Sequence, residues 1–448
     1  MTAPGDGGAP LEASALCERV LEAVGSGVEA EVTVRQGLSG LTRFANSHIH
    51  QNVAEEAMVT RLKVCVDGRQ AAVTSTVAAG DPRSLVQRAL AAARLRPVDP
   101  DWPGVAAPAP PPAVEHYDGG TATAEPHERA AVVKAFVGAD PASRAAGFCR
   151  TSGSSVAFAN TAGQRVTGRT TEATVEGIHR IGLSDGRGWH SSASLTELDG
   201  AAAGRSAAAK ASGGVDAVDL EPGRYEVVLE PACVSDLLDF LAWYGFNAKA
   251  HAEGQSFVDL GREQIDPLVS IVDDAADGRT TGLGFDAEGT PKARLELVRE
   301  GVCVGVAHDR RTARRAGGDT ESTGHAVAGG EGFGALCTNL FLLPGTTSPA
   351  EMVASVDRGL LVTELWYTRI LDPKSQVVTG LTRNGLFLVE AGEVRGAVRN
   401  LRFTQSYVEA LAPGNVLGVG DDARLTVAGS VAPSVHLASW NFTGGAQG

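Results

Sequence analysis

Aromatic side chains are scarce in this 448-residue chain, at 5 % of all residues. Any core must therefore be built mainly from Val, Leu and Ala. The six cysteines (Cys17, Cys65, Cys149, Cys233, Cys303, Cys337) are scattered, and no two form a CxxC pair. That spacing argues against a thiolate zinc site and a disulfide frame, and fits reduced thiols in a cytoplasmic protein. No run approaches the ~20 uninterrupted apolar residues of a membrane span. The opening MTAPGDGGAPLEAS has neither a basic nor an apolar region and does not read as a signal peptide. Cations are outnumbered: 39 Lys and Arg stand against 53 Asp and Glu, a net charge of −14. Binding nucleic acid or an anionic membrane needs clustered cations, so neither is expected as the main partner.

What is present supports a globular protein. Hydrophobic residues make up 43 % of the chain, and the length corresponds to about two to three domains. The pattern reads as α+β: N-terminal α/β units with antiparallel strands, then a C-terminal domain rich in antiparallel sheet. Residues 1–95 form the first expected unit. Its helix spans Leu11 to Val24, and its strands Glu29 to Arg35, Leu41 to Asn52, Met58 to Val66 and Gln70 to Val77. Asp67-Gly68 makes the hairpin turn, and Asp81-Pro82 starts a helix reaching Leu95. Residues 96–120 carry seven prolines and read as a semi-rigid connector.

A second α+β unit is expected over residues 121–222. Helices fall at Pro126 to Val137 and Leu198 to Ala211, with strands at Gly147 to Asn160, Gln164 to Gly177 and Ile178 to Ser194. Residues 223–448 form the third unit. A strand at Tyr225 to Glu230 leads into the clearest helical pattern in the chain, Pro231 to Asp259. Val234, Leu237, Leu238, Leu241, Gly245 and Ala248 share one face of it. Short strands broken by glycine loops follow at Val269 to Val272, Glu296 to Val306, Leu386 to Glu390, Val394 to Ala397 and Arg424 to Val427. His308 to Gly334 reads as a long, polar, glycine-dense loop.

Motif chemistry gives little. His48-x-His50 could share a metal from one strand face, but zinc needs a third protein ligand and none lies nearby in sequence. His251-x-Glu253 lacks the downstream P-C-x-x-C of a zinc deaminase and reads as a polar helix end. Gly182-Leu183-Ser184-Asp185-Gly186 matches GxSxG, but a strand rather than a helix follows it, so it reads as a turn. Arg310, Arg311, Arg314 and Arg315 are cationic enough to clamp an anion, yet their helix-like spacing favours a solvated face or internal ion pairs. No GxGxxG context supports a dinucleotide site.

Four segments, taken in order, resemble the TldD/PmbA family. They are His308 to Val327 (HDRRTARRAGGDTESTGHAV), Thr338-Asn339 with Gly345 and Glu351 to Glu364, the hairpin of Val378 to Val394, and Ser47 to Asn52 with Lys63 to Thr74. The resemblance covers about residues 28 to 442. It implies an N-terminal α+β region, a sheet-rich C-terminal domain, and proteolysis of short or unfolded peptides by a heterodimer of TldD-type and TldE-type subunits. In the family, the TldD type holds zinc on a helix reading H-E-x-x-x-H, with a cysteine near the C-terminus. Here that motif aligns with Asp239-Phe240-Leu241-Ala242-Trp243-Tyr244, and residues 423 to 442 contain no cysteine. Cys337 lies far upstream and reads as a buried thiol.

Both histidines, the glutamate and the cysteine are thus missing together, which is the TldE-type pattern. The resemblance implies a subunit without its own zinc or catalytic residue, whose TldD-type partner supplies the metal. Asp239, Phe240 and Tyr244 occupy the degenerate motif positions, and His251 and Glu253 remain as polar candidates. Two rivals stand beside this reading: a stand-alone, zinc-independent enzyme of peptide-derived natural product maturation, and a peptide-binding scaffold without turnover. Asn339, Asn384 and Gly385 read as turn-shaping residues.

Overall fold

The computed structural model describes residues 8–76, 81–330 and 332–445. The first helix, α1 (Gly8–Val24), leads into a long antiparallel hairpin, β1 (Glu29–Ala45) and β2 (His48–Val66). The sequence expectation of one strand over Leu41 to Asn52 is wrong. The chain reverses at Asn46 (φ 49°) and Ser47 (φ 64°), both left-handed, as a two-residue hairpin turn requires. Asp67 (φ 48°) and Gly68 (φ 70°) form the expected second turn into β3 (Arg69–Ser75). Val77, placed at the end of that strand by the sequence, lies outside the described residues. Helix α2 (Pro82–Arg94) starts as anticipated, with the Asp81 carboxylate accepting from the Arg83 amide.

After the proline-rich segment come the short α3 (Gly119–Ala122) and α4 (Pro126–Val137), then β4 (Arg144–Asn160), β5 (Arg165–Ile181), β6 (Ser184–Ser192) and α5 (Gly200–Gly213). The β5–β6 reversal falls at Gly182-Leu183, not at Gly177-Ile178, because Gly177 and Gly188 pair in mid-ladder. Strands from 1–95 and 121–222 form one six-stranded sheet in the order β3-β2-β1-β4-β5-β6. The join is the β1–β4 ladder, running from Glu31 opposite Asn160 to Phe44 opposite Gly147. Helices α1 and α2 pack on one end of this sheet through Leu16, Val20, Leu85 and Ala89, against Val32, Val34 and Leu62. Helix α5 lies so close to β6 that a Cβ at Gly186 or Gly188 would strike its backbone. This explains the run of alanines in α5.

The C-terminal half holds two more sheets. Strand β7 (Gly223–Leu229) enters the larger, nine-stranded sheet, while β8 (Ile271–Asp273), β9 (Leu295–Arg299), β10 (Val302–Cys303) and β11 (Leu340–Leu342) belong to the smaller one; within the larger sheet β7 sits centrally, between the final strand Val435–Gly445 and β12 (Arg358–Val362). The hairpin β13 (Leu365–Asp372) and β14 (Val377–Thr382) ends the large sheet, with β13 at its edge. The expected strand Glu296 to Val306 is two strands, split by a left-handed Glu300-Gly301 turn. One apolar core fills the space between the sheets, from Val227 and Leu229 through Val234, Leu237 and Leu241 to Ile271 and Leu340.

The helix predicted over Pro231 to Asp259 is not continuous. It comprises α6 (Pro231–Phe240), a single π-type turn over Leu241–Gly245, a break at Phe246-Asn247 and the short α7 (Ala248–Ala252). Asn247 starts α7, its side-chain oxygen accepting from the amides of Lys249 (2.9 Å) and Ala250 (3.3 Å). The loop expected from His308 to Gly334 contains the helix α8 (Arg310–Ala316), capped by Asp309 and Thr312.

Candidate functional site

Two places carry chemistry: the end of α6 and a cleft between the first sheet and the C-terminal half. On α6, Asp236 is held from both sides. Thr368 of β13 donates to its Oδ1 at 2.8 Å and the Tyr407 hydroxyl to its Oδ2 at 2.7 Å. Burial pushes the Asp236 carboxyl up to about 6, and the two donors only partly counter it. Burial, reinforced by the Asp236 charge, pushes Asp239 up to about 7. The Phe240 ring stacks on Tyr244 at 6.3 Å and meets Tyr407 edge-on at 5.8 Å. Tyr244 in turn touches Phe333 at 6.2 Å.

These residues do not fit a zinc ion. A catalytic zinc takes three protein donors. Phe240 offers no lone pair and Tyr244 is packed among rings. The two Asp236 oxygens are already occupied by Tyr407 and Thr368, which leaves one carboxylate, Asp239.

Other sequence candidates stay apart. His48 and His50 are both exposed on β2. His251, in the last turn of α7, lies near His308 and helps hold that imidazole below its usual range, mainly a result of burial. Glu253 pairs with Lys249 at 2.9 Å on the surface, so His251 and Glu253 do not converge. Ser184 of the GxSxG match donates to the Ala211 carbonyl at 2.7 Å and is a hairpin residue. The arginine cluster forms internal contacts. Arg311 pairs with Asp99, Arg315 with Asp101 at 2.6 Å, and Arg310 reaches the Val105 carbonyl at 3.0 Å, while Arg314 is exposed. Asn384 (φ 55°) and Gly385 (φ 139°) do shape a turn.

The cleft has a volume of about 710 Å³. Arg35, Arg61 and Glu172 line it from the sheet, and Asp286, Lys292 and Asn339 from the C-terminal half. Asp286 accepts from the amides of Ala326, Glu288 and Thr290, each at 2.9 Å, which fixes the loop forming one wall. Lys292 donates to Thr338 and Asn339, both at 2.9 Å. Behind this wall lies a group the sequence reading missed: Asp273, His325 and Cys337, all buried, with ligand atoms within 4.8 Å of one another. They come from three distant segments, so no spacing pattern links them. The available signal was that His325 closes the STGH of one family-like segment and that Cys337 directly precedes Thr338-Asn339 of the next.

Residues 222–444 match the family model of the PmbA/TldA metallopeptidase C-terminal domain. The chain belongs to the TldD/PmbA family. Among relatives of this TldD/PmbA member, a metalloprotease of Methanothermobacter thermautotrophicus is 26 % identical over 46 % of this chain and 44 % of its own length. A metalloprotease TldD homolog of Haemophilus influenzae is 24 % identical over 34 % of this chain and 31 % of its own length. The chain thus spans less than half the length of these curated relatives. The fold likeness is wider. TldE from Thermococcus kodakarensis superposes with a TM-score of 0.86 at 17 % identity, over 97 % of this chain and 100 % of that one. A protein described as a modulator of a DNA gyrase from Thermotoga maritima gives 0.84 at 21 % identity, over 95 % and 99 %. Among the described residues no helix is long and apolar enough to cross a membrane.

Proposed function

We propose that this chain is a TldE/PmbA-type subunit of a two-subunit metalloprotease acting on short or unfolded peptides, and that it shapes the peptide chamber without supplying the hydrolytic zinc. The observation that carries this reading is the end of α6. The family-like fold is kept there, while the donor set is replaced by Asp239, Phe240 and Tyr244. A TldD-type subunit is the partner that would bring the metal. Its docking surface on this chain would include exposed aromatics on the turn after that helix and on β13, which packs against it. Trp243 (45 % exposed), Trp366 (46 %) and Tyr367 (63 %) stand out on a protein poor in aromatics. Among the described residues, 48–59 of β2 extend past β3 as an open sheet edge, where an extended peptide can pair through its main chain.

The test is coexpression with a zinc-motif partner, followed by size-exclusion chromatography and a peptide-cleavage assay. A stable complex that cleaves, when this chain alone does not, supports the reading; no complex with any TldD-type partner sinks it. One observation favours a second reading. Asp236 and Asp239 are neighbouring carboxyls lifted to about 6 and about 7, values suited to acid–base work by a zinc-independent enzyme. Peptide turnover by the isolated chain that Asp239→Asn abolishes would favour it.

A further inference from the structure

We propose that Asp273, His325 and Cys337 form a buried binding site for one zinc ion, distinct from the degenerate position on α6 and independent of any partner subunit. The argument starts from where the protons are. Thr323 Oγ1 lies 3.1 Å from the His308 carbonyl and receives the His308 amide at 2.8 Å. Its own proton goes to that carbonyl, so Oγ1 accepts from His325 Nδ1 at 2.8 Å. In the neutral imidazole that metal binding requires, this hydrogen bond fixes the tautomer that leaves a lone pair on Nε2. That nitrogen is fully buried, without a hydrogen-bond partner of acceptable geometry, and stands 3.0 Å from Asp273 Oδ1. A lone pair and a carboxylate oxygen in such contact, out of hydrogen-bond alignment, are arranged as two ligands of a shared cation.

The remaining atoms agree. The other oxygen of Asp273 accepts the Asn339 amide at 2.7 Å, which orients the carboxylate and leaves Oδ1 to face inward. Cys337 Sγ completes the group. Zinc–ligand bonds of about 2.0–2.3 Å put neighbouring donors roughly 3–4 Å apart, within small side-chain rotations of the separations here. An imidazole, a carboxylate and a thiolate make a donor set that suits zinc over calcium or magnesium. The same geometry disfavours a nucleophilic triad. That arrangement needs the thiol at one ring nitrogen and the carboxylate at the other, whereas Thr323 occupies Nδ1 and Asp273 faces Nε2.

The site is sealed. The side chains of His325 and Asp273 are 0 % and 1 % exposed, and Cys337 is 5 % exposed. The three protein donors leave one position of a tetrahedral zinc to a small ligand such as water, but no peptide substrate reaches it, so the role assigned to the zinc is structural. It ties the end of β8 to the glycine-rich loop after α8 and to the segment leading into β11, and thereby sets the cleft wall at Ala326 and Thr338.

The experiment uses the full chain without a partner, stripped with a chelator, dialysed against zinc and analysed for metal. One tightly held zinc per chain is expected, with a melting temperature that rises on zinc addition. Cobalt(II) in place of zinc should give a thiolate-to-cobalt charge-transfer band. Cys337→Ser should lose the band and the retained metal, and Asp273→Asn the retained metal. Cys303→Ser, a buried cysteine elsewhere, and the double variant His48→Ala/His50→Ala should keep both. Should the Cys337 variant fail to fold, the cobalt spectrum of the unaltered chain still reads sulfur ligation. No retained zinc and no zinc-dependent melting shift would overturn the proposal and leave His325 and Asp273 as an ion pair. So would loss of metal only in the His48/His50 variant. Complex formation with a TldD-type subunit is scored separately, so either reading can fail alone.

Discussion

Asp239 shows how burial beside a second carboxyl changes the behaviour of a single side chain. Its carboxyl, ordinarily near 3.8, is pushed up to about 7 by burial and by Asp236, itself at about 6. The folded chain therefore holds these protons more tightly than the unfolded chain. Their contribution to stability is fully present below about pH 4, falls as pH rises to about 7, and is lost above that. Asp239→Asn should flatten this part of the pH–stability curve and, at pH 8, stabilise the chain by about 1–3 kcal/mol, the usual size of an uncompensated buried polar group. Urea denaturation at pH 5 and pH 8 checks it; an unchanged slope would contradict it. At this scale the sequence was legible wherever a residue's own backbone chemistry decides. Asp81-Pro82 caps a helix and Asp67-Gly68 turns a hairpin. It was silent on Asp273, His325 and Cys337, because their neighbourhood is made by tertiary folding alone.

Among the elements, the segment after Pro231 is the most instructive. Its apolar face was readable, since Val234, Leu237, Leu238 and Leu241 are all buried. Its length was not. The 3.6-residue pattern runs through Gly245 and Ala248, but the backbone widens into a π turn and restarts at Asn247. Gly245 permits this, since a Cβ there would collide with the Phe257 ring. Asn247 was the overlooked signal, a strong helix-starting residue inside a helical pattern. Its amide nitrogen also donates to the Phe333 carbonyl at 3.0 Å. Asn247→Ala should cost about 1–2 kcal/mol, measurable by thermal melting, and should increase amide exchange around Phe333. On the neighbouring edge strand, the proposed two-subunit reading expects Trp366→Asp to weaken binding of a TldD-type subunit by about 30-fold, or ~2 kcal/mol, with the isolated chain still folded. Equal affinity would remove Trp366 from the interface.

Over the whole molecule, the proline-rich segment is strapped down rather than free. Arg311 pairs with Asp99 with both side chains largely buried, and Arg315 pairs with Asp101. His116 contacts the carbonyls of Gly282 (2.8 Å) and Asp277 (3.1 Å). Arg311→Ala should leave Asp99 without its cation, cost about 1–3 kcal/mol and speed proteolytic cutting near residues 96–105; unchanged cutting would show that the strap holds without this pair. Composition located this segment, because prolines mark it locally. The partner of β1 could not be read, since β4 lies beyond the connector and pairing across such a distance leaves no periodic trace.

That ladder also dictates the order in which the chain can become a protein. As it emerges from the ribosome, β1 must wait until Asn160 is available before its second edge is covered. Strand β7 must wait for Val435–Gly445 at the far end of the chain. Long-range pairing of this kind is slow and leaves sheet edges exposed meanwhile. A nascent chain stalled before β4 would therefore be a client for chaperones, and truncation before Val435 would leave the central strand of the large sheet open to aggregation.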